Sequence, residues 1–338
     1  MEQQPHATET GADELGPKLL LSMLEEAVSN PDSEQSHERT TDEQIELRQK
    51  LVDQTWEKVR EWLRAHPTKE ERAEAATMKG RGDATPLHLM FRLGHAPIDA
   101  VKDLVDAAPE IVKLVDSHGW LPLHQACSYG ASQEVFEILL TSYPEGKIAQ
   151  DKQSRTPLHF YTTHKSEDIN PTVMEMLCNT GAAKISDKNG MFSMHYACAY
   201  GYSPAVLKIL ADACPESVTA KDCMGRTPVH FTMANCCRDA APGVLEFLLQ
   251  GDGKQTVDWP NNEGNLPVHP LNLGTEDWPD DPEEMKNAVE CIKLYLASYP
   301  IKEDESNLPD LLAALKDLPE PLRDVAAVQD LLNKTTEK

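Results

Sequence analysis

The chain has 338 residues and a formal net charge of −24, from 56 acidic against 32 basic side chains. That balance disfavours duplex nucleic acid as the main partner, because phosphate-binding surfaces carry a basic footprint. No apolar run of about 18 residues occurs, so no membrane span is expected, and the opening MEQQPHATET lacks the order of a secretory signal.

Charge divides the chain unevenly. Residues 1–50 carry 12 acids and 4 bases, residues 51–250 carry 25 and 20, and residues 251–338 carry 19 and 8. We read residues 1–48 as an acidic, largely flexible region with one short helix, GPKLLLSMLEEAV. That helix suits packing on the segment that follows, or presentation to a partner. Next, TWEKVREWLRAHPTKE sets Val59, Trp62 and Leu63 on one helical face and reads as a half-repeat closing the end of a stack. Eight cysteines at irregular spacing point to reduced thiols and to the cytoplasm or nucleus.

A repeat occupies the middle of the chain. ATPLHLMFRLG, WLPLHQACSYG, RTPLHFYTTHK, MFSMHYACAYG, RTPVHFTMANC and NLPVHPLNLGT place His88, His124, His159, His195, His230 and His269 at spacings of 36, 35, 36, 35 and 39. A fixed period in this range marks stacked units. Asp116, Asp151, Asp187, Asp222 and Asn261 stand eight residues before a histidine, with Gly119, Gly190, Gly225 and Gly264 three further on. An Asp-x-x-Gly tetrad is turn chemistry. Thr85, Thr156 and Thr227 then offer an N-cap, proline takes the first helical position, and Gly94, Gly130 and Gly201 stop the helix.

A second helix follows in each unit, with apolar triads such as Val101/Leu104/Val105, Val135/Ile138/Leu139, Val206/Ile209/Leu210 and Val244/Phe247/Leu248. The tags AAPE, SYPE, ACPE and SYPI are expected to halt that helix and extend the chain to the next turn. The acidic loop GTEDWPDDPEE, Gly274 to Glu284, lengthens the last repeat.

This unit resembles the ankyrin repeat, whose pattern reads Asp-x-x-Gly-x-Thr-Pro-Leu-His-x-Ala-Ala-x-x-Gly. The resemblance covers roughly residues 80–300. It implies an all-α solenoid at 49–300, with a half-repeat cap and about six repeats of a turn plus an antiparallel helix pair. Residues 301–338, read as two short amphipathic helices, form a C-terminal helical cap. Two departures stand out: the period is 35–36 rather than 33, and Leu121, Phe192 and Leu266 replace the threonine. Each replacement costs about 1 kcal/mol unless something compensates. The resemblance further implies that the motif imidazole bonds neighbouring backbone and the threonine, tying adjacent turns.

No phosphate-cradling loop, Gly-x-Ser-x-Gly or His-Glu-x-x-His occurs, so a non-catalytic protein without cofactor or metal is expected. Successive motif histidines are held apart by roughly 8–10 Å of packed helix, too far to share an ion. Cys127 and Cys198 fill small buried positions. The vicinal pair Cys236 and Cys237, with Cys214 and Cys223, supports an alternative: thiol-based redox or metal-linked regulation, although the spacing is not that of a zinc site.

By the resemblance, a partner protein or peptide meets the turn tips and the exposed face of the first helices. Those positions hold His118, Trp120, Tyr129, Lys152, Arg155, His164, Lys188, Met191, Tyr200 and Arg226. On the concave side they would make a cationic, aromatic groove suited to an acidic or phosphorylated peptide; the plain alternative is a set of solvated tips. By charge, the acidic N-terminal arm also fits that groove. The scaffold is expected to be a monomer.

Overall fold

In the computed structural model the described residues are 16–29, 42–163, 169–179, 181–269 and 281–334. His164, the Gly274–Asp280 part of the acidic loop and the sixth first helix beyond His269 lie outside them. Among the described residues the elements are α-helices, 3₁₀ turns and connecting loops, with no strand. Contacts divide the chain into two units, Met1–Lys152 and Gln153–Lys338.

In the first unit, α1 (Pro17–Ser29), α2 (Asp42–Ala65) and α3 (Lys69–Thr77) precede two repeats. The repeats are α4 (Pro86–Leu93) with α5 (Ile98–Ala107), and α6 (Pro122–Tyr129) with α7 (Gln133–Ser142). First helices pack on first helices, α4 on α6, and second on second, α5 on α7. The N-terminal helix continues this order: α1 lies on α4 and also touches α2 and α3. It buries Leu20 and Leu24 completely, and the Trp62 indole N–H donates to the Gly16 carbonyl at 3.4 Å. The acidic region therefore contributes a structural layer to the stack. Thr68 caps α3 by accepting the Glu71 N–H, and the His66 ring stacks on Trp62 at 4.1 Å.

In the second unit, α8 (Pro157–Tyr161) pairs with α9 (Pro171–Cys178), α10 (Ser193–Tyr200) with α11 (Pro204–Ala213), and α12 (Pro228–Met233) with α13 (Ala241–Gln250). α14 (Pro282–Ser298) packs on α13 and continues the row of second helices. Three short helices follow where two were expected: α15 (Leu308–Lys316), α16 (Glu320–Arg323) and α17 (Ala326–Lys334). Pro319 breaks the segment and starts the extra turn at α16.

Two details of the repeat differ from the sequence reading. Three of the four proline tags do not extend the chain, whereas at SYPI the helix stops and the backbone is extended at Tyr299. Ala108, Tyr143 and Cys214 each leave the helical region, as a residue before proline must, and the proline then opens a 3₁₀ turn at Pro109–Lys113, Pro144–Ile148 and Pro215–Val218. The buried stripe of the second helix also runs i, i+1, i+4, i+5: in α5 it holds the expected triad Val101, Leu104 and Val105 together with Ala100, but in α7, α9, α11 and α13 the middle member of the triad leaves it. Val135, Phe136, Leu139 and Leu140 are buried, whereas Ile138, Met176, Ile209 and Phe247 are only half-buried. A helix covered on two sides by like helices needs this wider stripe.

Candidate functional site

The turns that open four of the repeats are each built on one side-chain oxygen, from an aspartate in three and from Asn261 in the fourth. Asp116 Oδ1 accepts the N–H groups of His118 and Trp120 at 2.8 and 2.9 Å. Asp187 does the same for Asn189 and Met191, Asp222 for Met224 and Arg226, and the Asn261 amide oxygen for Glu263 and Asn265. The glycine is needed for its backbone: Gly190 sits at φ +74°, and a Cβ there would stand 3.2 Å from the Cys223 nitrogen of the next turn.

The second carboxylate oxygen takes a different donor each time. The Trp120 indole N–H donates to Asp151 Oδ2 at 3.0 Å, and the Tyr196 hydroxyl donates to Asp187 Oδ2 at 2.9 Å. Burial, and then the Asp187 carboxylate, push the Tyr196 hydroxyl pKa upward. Arg226 contacts Asp222 Oδ2 twice, at 2.9 Å through Nε and 2.7 Å through Nη2. Its guanidinium also lies 4.5 Å over the Phe231 ring. Arg226 thus belongs to the architecture of its turn, with its charge offset by a buried aspartate.

Successive tips are joined by single backbone bonds. In the first unit, Ser117 N–H donates to the Gly82 carbonyl at 2.7 Å and Lys152 N–H to the His118 carbonyl at 3.2 Å. In the second, Lys188 donates to Gln153, Cys223 to Asn189 and Asn262 to Met224, at 2.9, 2.8 and 2.9 Å.

The histidines finish the frame. His88 Nδ1 accepts the Thr85 backbone N–H at 3.2 Å and lies 2.8 Å from the Thr85 hydroxyl. An acceptor role for Nδ1 leaves the proton on Nε2, which donates to the Trp120 carbonyl of the next repeat at 2.9 Å. His159 and His230 repeat the arrangement, bonding Thr156 and Thr227 behind and the Met191 and Asn265 carbonyls ahead. Burial drives the imidazoles towards the neutral form, lowering the His88 pKa and taking His195 and His230 to about 4. Both ring nitrogens are committed to backbone. Leu121 and Phe192, which lack a hydroxyl, keep the main-chain half of the cap: their N–H groups donate to His124 and His195 Nδ1 at 2.9 and 3.0 Å. At these two positions only the hydroxyl contact of the threonine is lost, and the main-chain bond to the histidine stays.

A neutral histidine that caps its own helix and reaches across to the following turn, once per 35 or 36 residues, is the signature of one repeat class. The chain is an ankyrin-repeat protein. Curated relatives agree. The chain is 27% identical to inversin of Canis lupus familiaris over 181 residues, 54% of this chain and 16% of inversin. It is 26% identical over 223 residues to the Saccharomyces cerevisiae protein named "Probable 26S proteasome regulatory subunit p28", across 54% of this chain and 89% of that one. An ankyrin repeat-containing protein of Schizosaccharomyces pombe is 29% identical over 134 residues, 39% of this chain and 55% of its own length. No family model matches the chain.

The surface positions expected to meet a partner fall into two sets. In the first unit His118 and Lys152 are exposed, and Trp120 and Tyr129 half-buried. The His118 and Trp120 rings lie 5.9 Å apart. Tyr129 sits apart from this pair, at the far end of α6. In the second unit Lys188 is exposed, Tyr200 is 38% exposed, and Arg155 and Met191 are half-buried. Arg155 lies 4.4 Å over the Phe160 ring.

Two features escaped the sequence reading. In three successive repeats the residue directly after the histidine is aromatic: Phe160, Tyr196 and then Phe231. His159 meets the edge of Tyr196 at 5.6 Å, and His195 that of Phe231 at 5.5 Å. Tyr196 and Phe231 remain half-exposed. The signal was present in the sequence, at the position marked x in the repeat pattern. The second feature is Arg238, an exposed cation whose Nη1 donates to the Tyr200 carbonyl at 3.4 Å.

The thiols are also placed differently from the cluster expected. Cys214 lies by Ser217 and Glu216, and Cys223 is exposed on a turn tip. The thiol that meets Cys236 comes from Cys291 on α14.

Proposed function

We propose that this protein is a non-catalytic interaction scaffold that holds a peptide segment of a partner protein on the turn tips and first helices of its ankyrin repeats. The observation that supports this most directly is the row Phe160, Tyr196 and Phe231. Each of the last two rings is braced by the histidine of the preceding repeat and tied to a turn through Asp187 or Arg226. Rings held in place before binding lose little entropy on contact, and aromatic residues with arginine dominate interface energies. His118, Trp120, Tyr129 and Lys152 serve the first unit; Arg155, His164, Lys188, Met191, Tyr200 and Arg226, with the two rings, serve the second. In this reading residues 1–48 and 301–338 flank a repeat body at 49–300.

The peptide we propose is acidic or phosphorylated. Lys188 and Arg238 are exposed cations on a chain of net charge −24, whereas Arg226 is already neutralised by Asp222. Charge selection therefore rests on Lys188 and Arg238, and Arg226 contributes shape. The test is fluorescence anisotropy with matched acidic and basic peptides, on wild type and on the Lys188→Glu/Arg238→Glu double variant. Preferential binding of acidic peptides by wild type, weakened about tenfold or more in the variant, is expected from loss of two attractive and gain of two repulsive charges. Equal affinity for both peptides, or no change in the variant, overturns the charge assignment.

A further inference from the structure

Three thiols converge where the turn after α12 rests on α14, away from the tips. The side chain of Asn287 donates to the Cys237 carbonyl at 3.3 Å and to Asp239 Oδ1 at 3.2 Å, clamping the turn to the helix. One helical turn further along α14, Cys291 Sγ donates to the Cys236 carbonyl at 3.8 Å, the carbonyl of the peptide bond that leads into Cys237. Asn287 and Cys291 are four residues apart and share a face. They hold the carbonyls on either side of the Cys237 Cα. Cys236 and Cys291 are buried, at 1% and 0% exposure, while Cys237 is half-buried.

We propose that Cys237 is a modification site for hydroperoxides, and that Cys291 converts the oxidised sulfur into a disulfide joining the turn to α14. The Cys237 thiolate attacks one peroxide oxygen; the S–O bond forms, the O–O bond breaks, and hydroxide departs as water after taking a proton. Cys291 sulfur then attacks the sulfenic acid. Its proton passes to the departing hydroxide, a second water leaves, and an S–S bond remains. Two thiols are oxidised by two electrons in all, and one hydrogen peroxide is reduced to two waters. An external dithiol reverses the bond by exchange.

Cys237 is the sulfur that starts the sequence because the Cys236 thiol hydrogen-bonds to it and favours its thiolate, against the opposing effects of burial and Glu284. Burial holds Cys291 protonated, raising it to about 12, so it serves as the resolving group. Closure between Cys236 and Cys237 is disfavoured by geometry. Adjacent Cα atoms lie about 3.8 Å apart, whereas disulfides span roughly 4.4–6.8 Å. Cys291 approaches from another helix and escapes that limit.

The experiment treats the full chain with hydrogen peroxide, traps sulfenic acid with dimedone, and maps tryptic peptides by mass spectrometry. Wild type is expected to yield a peptide ending at Arg238 linked to the peptide containing Cys291, and Cys236→Ser is expected to keep that link. Cys291→Ser is expected to accumulate dimedone on Cys237, about tenfold faster than on the exposed Cys223. Labelling at Cys223 ahead of Cys237, a Cys236–Cys237 bond, or survival of the cross-link in Cys237→Ser overturns the proposal. Urea midpoints of the variants under reduction establish that each is folded.

Discussion

The Nε2–H of His88 donates to the carbonyl of Trp120, thirty-two positions later, at 2.9 Å, while its Nδ1 accepts the Thr85 N–H. One imidazole thus satisfies a helix start and a neighbouring turn. Replacing His88 with alanine leaves a buried donor and a buried acceptor unmatched and opens a small void. We expect a loss of about 2–4 kcal/mol. Thr85→Ala, which keeps the imidazole, is expected to cost about 1 kcal/mol or less. Urea denaturation of the two variants checks the order, and an equal cost for both would show that the cap does not depend on histidine.

Acid should weaken the fold through these rings. His195 and His230 have native pKa values near 4 because burial penalises the charged form. Above the unfolded value of about 6.5 both states are neutral and stability does not respond. As pH falls from about 6.5 towards 4, the unfolded chain binds protons that the native chain refuses, and stability drops by at most about 1.4 kcal/mol per pH unit for each ring. Urea midpoints at pH 7.5, 6 and 5 are expected to fall for wild type and to fall less steeply for His195→Gln. Parallel slopes would exclude His195 as a source.

Arg226 and Lys188 should separate under mutation. Removing the guanidinium strips a buried Asp222 of its partner, so Arg226→Gln is expected to lower stability by about 2 kcal/mol or more. Lys188 is exposed, and Lys188→Glu is expected to change stability by less than about 0.5 kcal/mol while reducing capture of acidic peptide. Binding data on Arg226 variants therefore need a matched melting curve. A stable Arg226→Gln protein would contradict the role given to that ion pair.

The N-terminal helix is testable in the same way. Leu24 is fully buried where α1 covers α4, and Leu24→Ala is expected to cost about 3 kcal/mol. A truncation of residues 1–48 removes that layer together with the acidic arm. Deleting residues 1–15 alone distinguishes an effect of charge from an effect of folding, and binding unchanged by the shorter deletion argues against an arm that competes for the groove.

The repeat was legible because its period, its turn aspartates and its helix-stopping glycines each have a local cause that survives into the fold. Leu121 and Phe192 looked like defects because an N-cap is ordinarily judged by its own side chain. Here the acceptor belongs to a residue three positions later. The aromatic row was hidden for another reason: the position after the histidine is variable in the repeat pattern, and only the packing of one imidazole on the next ring gives it meaning. The approach of Cys291 to Cys236 spans 55 positions and left no trace in local spacing. The 3₁₀ turns after the prolines were missed because a break in a helix does not by itself specify the conformation that follows it.

The bonds between neighbouring tips also limit how anything can dock there. Within each unit, one residue of the loop gives its amide hydrogen to the turn before, and the next offers its oxygen to the turn after. A visiting segment finds that backbone edge already occupied and cannot add itself as an extra strand. For the peptide proposed above, selectivity then rests on side chains alone, and substitution in these loops alters it while the supporting main chain stays as it is.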